Sequence, residues 1–139
     1  MSESTNETRR ESADETLAKA IRKQVDGLCE ILYNKKAVDI VAIRVADRTI
    51  IADWFIICSG RAVMQTKALY DELDEKAPAF GLTLRRSEGY EDGRWIVLDY
   101  GDILVHIFHP DERKYYNMER LWDEDDAAIR YSALRDAGN

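Results

Sequence analysis

Two apolar runs, Trp95–Asp99 and Ile103–Phe108, flank the short segment Tyr100-Gly101-Asp102. That spacing constrains the fold more than any other part of the chain. Two β-rich runs joined by a glycine-containing turn predict an antiparallel hairpin. Pro110 follows almost at once and suits the first position of a helix. Asp111 and Glu112 favour the positive end of its dipole. The helix is expected to run to Leu121-Trp122. The stretch Gly93 to Trp122 holds two of the three tryptophans and both histidines, but no complete set of catalytic groups. It reads as a recognition surface on a small scaffold.

The rest of the chain supplies the scaffold. Residues 1–11 are polar and without periodicity, which predicts disorder. Ser12 and Glu15 have capping-box spacing for a first helix. Leu17, Ile21, Val25, Leu28 and Ile31 or Leu32 form its apolar stripe, and Asn34 is the expected stop. Val38 to Val45 reads as a strand with Val41, Ile43 and Val45 on one face, followed by a turn at Asp47-Arg48-Thr49. Trp54 to Cys58 is apolar without alternation and predicts a central strand covered on both faces. A helix then starts near Ala62, with Leu69, Leu73, Ala77 and Phe80 buried. Pro78 should kink or end it near Lys76. Leu82 to Arg86 predicts a short strand, and Glu88 to Gly93 a turn. The order is α-β-β-α-β-β-β-α, an α/β single domain with a mixed β-sheet flanked by helices. Residues 1–14 form an extension, 15–123 the domain, and 124–139 an acidic tail with a frayed helix.

With 139 residues, the chain suits one domain with one core. No window approaches the ~18 apolar residues of a membrane span. The polar N-terminus has no apolar segment of the kind a secretory signal carries, and its acids argue against a transit peptide. A cytoplasmic protein is expected. Cys29 and Cys58 sit in apolar contexts and read as buried reduced thiols. The net charge of −7 disfavours direct sequence-specific nucleic-acid binding, which draws affinity from Lys and Arg patches. It favours a basic partner surface.

Three groups of residues invite a functional reading. At Cys58-Ser59-Gly60-Arg61 a strand meets a helix, a joint that can hold phosphate in nucleotidyl transferases. Those enzymes need carboxylates converging on a metal. Asp99 and Asp102 straddle a turn, and no Asp-x-Asp pair sits on a strand following the joint, so tight-turn geometry is the favoured reading. His106 and His109 point to opposite faces at strand spacing and make poor co-ligands. His106 reads as a hydrogen-bonded structural residue and His109 as a helix cap. The third group is Glu88, Trp95, Asp99, Tyr100 and Asp102, acids and large aromatics of the type that anchor interfaces. Trp95 could equally be core, and the acids a solvated rim. Tyr115, Met118 and Trp122 share a helical face and are expected to press on the sheet.

Four segments carry a family resemblance. They are Ala52-Asp53-Trp54-Phe55-Ile56-Ile57-Cys58-Ser59-Gly60; Glu88-Gly89 followed by Trp95 through Asp102; Val105-His106-Ile107-Phe108; and Arg113 with Tyr116, Glu119, Leu121 and Trp122. In this order, over roughly residues 15 to 123, the chain resembles the ribosomal silencing factor family, also called Iojap-like. The resemblance implies a nucleotidyltransferase-like fold without the metal-binding acids. It implies binding to the large ribosomal subunit through its protein number fourteen, steric blocking of small-subunit joining, and repression of translation. It also implies a homodimer when free, no catalysis and no cofactor. On this reading Trp95 is an apolar anchor. Asp99 and Asp102 meet basic side chains, Glu88 lies on the rim, and Tyr100 presents its ring at the turn. The alternatives are a catalytic nucleotidyl transferase, a dimeric adaptor for another basic partner, and an RNA-binding maturation factor.

Overall fold

The structure, a computed structural model, describes residues 2–132, with side chains described from Ser12 onward. Its strands are β1 (Val38–Arg44), β2 (Trp54–Ser59), β3 (Arg86–Glu88), β4 (Trp95–Asp99), β5 (Ile103–Phe108) and β6 (Ile129–Arg130). Its helices are α1 (Ser2–Asn34), α2 (Val63–Lys76), α3 (Pro110–Tyr116) and α4 (Met118–Trp122). The six strands form one sheet in the order β3-β4-β5-β2-β1-β6. β2 and β5 run parallel, and every other neighbouring pair is antiparallel. The expected element order is present, extended at its end by α4 and β6.

Both faces of the sheet bury apolar side chains. On one, Val25, Leu28 and Leu32 of α1 and Leu69 and Leu73 of α2 pack on Ile56, Cys58, Ile96, Leu98, Val105 and Ile107. On the other, Val41, Ile43, Val45, Phe55, Ile57 and Phe108 meet Met118 and Trp122. Each fully buried Leu or Ile stabilises by roughly 1.5–3 kcal/mol relative to exposure. β2 is covered on both sides, as its unbroken apolar run requires. Burial in this interior pushes the Cys58 thiol up to about 12, which keeps it protonated and inert.

Local chemistry sets the boundaries. α2 ends at Lys76, and a 3-10 turn over Ala77–Phe80 takes up Pro78 before Gly81 turns left-handed. α3 begins at Pro110, where His109 Nδ1 accepts from the amide of Asp111 at 3.2 Å, the expected cap.

Several expectations need correction. The first helix starts at Ser2 rather than Ser12, so residues 2–11 are helical. Once α1 is nucleated where it packs, each added residue gains a backbone hydrogen bond, and polar composition does not stop it. Ser12 is no cap, because its carbonyl accepts the Thr16 hydroxyl at 2.8 Å within the helix. Leu17 is exposed and lies before the packed part of α1, which begins at Ile21; Phe80 is exposed as well. The short strand forms at Arg86–Glu88 rather than Leu82 to Arg86, since the ladder with β4 runs over Arg86–Glu88, with one further bond from the Arg85 amide to the Asp99 carbonyl. The last helix breaks at Asn117, which adopts φ 45°, giving α3 and α4. Tyr115 consequently points to solvent, whereas Met118 and Trp122 do pack. After Trp122 the chain first forms an edge strand against β1 at Ile129–Arg130, and Tyr131 and Ser132 are helical. Residues 133–139 of the expected tail lie outside the described residues.

Candidate recognition face

Strand alternation sorts the hairpin side chains onto two faces. Ile96, Leu98, Ile103, Val105 and Ile107 go to the side covered by α1 and α2. Trp95, Val97 and Asp99 go to the other, opposite Phe108, His106 and Leu104 respectively. In the register of β3, Arg86 faces Asp99 and Glu88 faces Val97. Glu88, Trp95 and Asp99 therefore share one sheet face. α4 covers only the part of that face over β1 and β2, where Trp122 meets Phe55 edge-on at 5.0 Å. The part over β3 and over Val97 and Asp99 of β4 is open, while Tyr116 of α3 lies against Trp95. A shallow groove there is lined by Ile51, Arg86, Glu88, Val97, Asp99 and Leu104.

Trp95 is half-buried. Its ring stacks on Phe108 at 5.0 Å and tilts against Tyr116 at 4.7 Å. Its Nε1 donates to His106 Nδ1 at 3.2 Å. His106 is buried, with Phe55 edge-on at 5.1 Å, and its Nε2 has no partner among the described residues. Burial lowers its pKa to about 4, because a charged imidazole would lose its hydration there. His106 is the structural hydrogen-bonded residue its sequence context predicts.

The acids differ in what they do. Asp99 Oδ1 accepts from the amide of Gly101 at 2.8 Å, and Oδ2 lies 3.8 Å from the Arg86 guanidinium. It holds the hairpin turn while edging the groove. Asp102 exposes its side chain at the same end of the sheet. Its carbonyl ties the turn to β2, accepting from the amides of Asp53 at 2.8 Å and Trp54 at 3.1 Å. Glu88 is exposed on the edge strand.

Tyr100 does not present its ring at the turn. It is buried with the core beneath α1 and α2, where burial raises its phenol pKa. Alternation explains this, because the residue after Asp99 must face the opposite side. Sequence reasoning also missed exposed apolar residues near this face. Ile50 and Ile51, in the β1–β2 loop, are 104% and 66% exposed. Val97 and Leu104 were legible from alternation, but the loop pair carried no periodic signal.

The Ser59-Gly60 joint lies at the opposite end of the sheet. Ser59 is level with Phe108, whereas Asp99 is level with Leu104 and Asp102 precedes Ile103. The two aspartates cannot converge on a ligand at that joint. Among the described residues no group of three or more His, Cys, Asp or Glu is placed to hold a metal ion. No described helix is long and apolar enough to cross a membrane.

Comparison with known proteins gives this geometry a context. A family model described as "Ribosomal silencing factor during starvation" matches residues 18–138. A ribosomal silencing factor of Halalkalibacterium halodurans is 45% identical over 66% of this chain and 78% of its own length. One from Bacillus subtilis is 38% identical over 76% of this chain and 87% of its own. A crystal structure of a Chromobacterium violaceum protein aligns with a TM-score of 0.71 at 32% identity, covering 74% of this chain and 86% of that one.

Proposed function

This chain belongs to the ribosomal silencing factor family, and from that premise we propose that it binds the large ribosomal subunit and represses translation. The contact is with the subunit's protein number fourteen, and its occupation sterically blocks joining of the small subunit. The observation that carries the reading is the family match together with an open sheet face bearing Glu88, Trp95 and Asp99, with Asp102 at its end. An apolar anchor flanked by carboxylates suits a basic protein surface. The mechanism is competition for a surface, without any bond made or broken and without a cofactor. A nanomolar to micromolar dissociation constant, ~8–12 kcal/mol, is enough to hold the site. The free protein is a cytoplasmic homodimer, a state that light scattering tests.

Catalytic nucleotidyl transfer lacks a carboxylate constellation at the Ser59-Gly60 joint. A dimeric adaptor for another basic partner would use the same face but show no preference for large subunits. Co-sedimentation with separated subunits distinguishes these readings. Selective pelleting with the large subunit, and fewer joined ribosomes after the small subunit is added, is the expected result. Pelleting with neither subunit would sink the proposal.

A further inference from the structure

The sheet has one point where neighbouring strands run parallel and the chain leaves them towards opposite faces. β2 leads into α2, whose Leu69 and Leu73 pack on one side. β5 leads into α3 and α4, and Met118 and Trp122 of α4 pack on the other. Connections that diverge in this way open a crevice beyond the carboxyl ends of the two strands, the usual ligand position in open α/β sheets. Here the crevice has a volume of about 460 Å³, within the ordinary range of small-molecule pockets.

Its walls are charged in a definite way. Ser59, Gly60 and Arg61 form one side, Arg113 and Lys114 the other, with Asp39 and Glu119 also lining it. Arg113 is fully engaged. Its guanidinium donates to Glu119 Oε1 at 2.8 Å, Ser59 Oγ at 2.9 Å and the Asp39 carbonyl at 2.8 Å. It neutralises Glu119 and fixes the floor. Arg61 and Lys114 are different, since neither forms an ion pair among the described residues. They come from separate elements and meet at one cavity, in a chain whose net charge is −7. Gly60 keeps the joint tight, because a Cβ there would lie 2.8 Å from the Thr66 amide nitrogen.

We propose that this crevice binds a small phosphate compound, recognised through its phosphate group, with Arg61 and Lys114 as its two charge partners. A single carboxylate would occupy one cation and leave the other uncompensated. A phosphate group carries up to two charges and several acceptor oxygens, which suits an Arg fork and a Lys ammonium together. The site is separate from the recognition face, and nothing in this inference depends on ribosome binding.

Isothermal titration calorimetry of the full chain with pyrophosphate and with adenosine monophosphate tests it. At least one probe should bind saturably with a dissociation constant below about 1 mM. Arg61→Ala and Lys114→Ala should each weaken binding by about tenfold, the usual loss for one charge-assisted hydrogen bond. Both side chains are exposed, so the melting temperature should not change. No saturable heat with either probe would overturn the proposal. Equal affinity in the Arg61→Ala/Lys114→Ala double variant would overturn it too, because the binding would then lie elsewhere.

Discussion

The indole nitrogen of Trp95 donates to Nδ1 of His106 at 3.2 Å, across the β4–β5 hairpin. The two residues are diagonal neighbours, since Trp95 pairs directly with Phe108 and His106 with Val97. Because Nδ1 accepts, the imidazole is neutral and carries its proton on Nε2. The bond fixes the indole on the open face while Phe108 supports its ring. A side chain held in this way loses little further freedom on binding, which is what an interface anchor needs.

Trp95→Ala should therefore weaken large-subunit binding by about 2 kcal/mol or more, the hot-spot range. Trp95 is half-buried, so the same change should also lower stability, by about 1–2 kcal/mol, short of the cost at a fully buried site. Circular dichroism separates the two effects. A variant that unfolds would show that Trp95 belongs to the core. A folded variant with full affinity would remove it from the interface.

His106 should make stability pH-dependent. Its folded pKa of about 4 lies below the ordinary 6.5, so the unfolded chain takes up more protons between those values. The stabilisation is fully present above about pH 6.5 and is lost as pH falls towards 4, at up to about 1.4 kcal/mol per unit. Denaturant melts from pH 7 to pH 4 should show this slope, reduced in His106→Gln, whose amide oxygen can still accept from the indole. An unchanged slope would assign the effect to the carboxylates.

Much of this was legible in the residues, and the failures have physical causes. The hairpin was readable because Gly101 separates two runs of β-forming side chains, and Pro78 and Pro110 marked helix boundaries through steric limits that no packing removes. Tyr100 was misplaced because its type suggested an anchor, although counting alternation from Trp95 through Asp99 puts it on the buried side. Asn117 could have been suspected of the left-handed conformation that divides the last helix. The helical N-terminus was hidden because helix propagation needs no apolar stripe. Ile50 and Ile51 were not recoverable, since exposure in a loop depends on the elements around it. Arg113 read as one basic residue of a matching motif, within reach of Glu119 on the same segment; its other two partners, Ser59 and Asp39, lie 54 and 74 residues away, so only the fold brings them to it.

Arg113 ties together β2, the irregular start of β1 and the α3–α4 joint, with 12% of its side chain exposed. Arg113→Lys keeps the charge but cannot reproduce a planar fork with three separate acceptors. It should destabilise by about 1–3 kcal/mol, the cost of losing hydrogen bonds to a charged donor. Urea unfolding measures this. A loss below about 0.5 kcal/mol, the usual range for inconsequential surface changes, would show that water replaces the guanidinium freely.

Asp99 and Asp102 close the same turn but should respond differently to substitution. Asp99 accepts the Gly101 amide and lies beside Arg86, so Asp99→Ala should cost about 1 kcal/mol of stability as well as affecting binding. Asp102 contributes its carbonyl to the fold, and the carbonyl survives any substitution, while its exposed carboxylate makes no bond among those described. Asp102→Lys should leave unfolding unchanged. If the partner surface is basic, it should slow association and flatten the dependence of the association rate on salt, because a rim charge acts mainly through steering. Stopped-flow association with large subunits at two ionic strengths reads both quantities. An unaltered association rate at low salt would place Asp102 outside the contact, and a loss of stability would mean its carboxylate holds the turn after all.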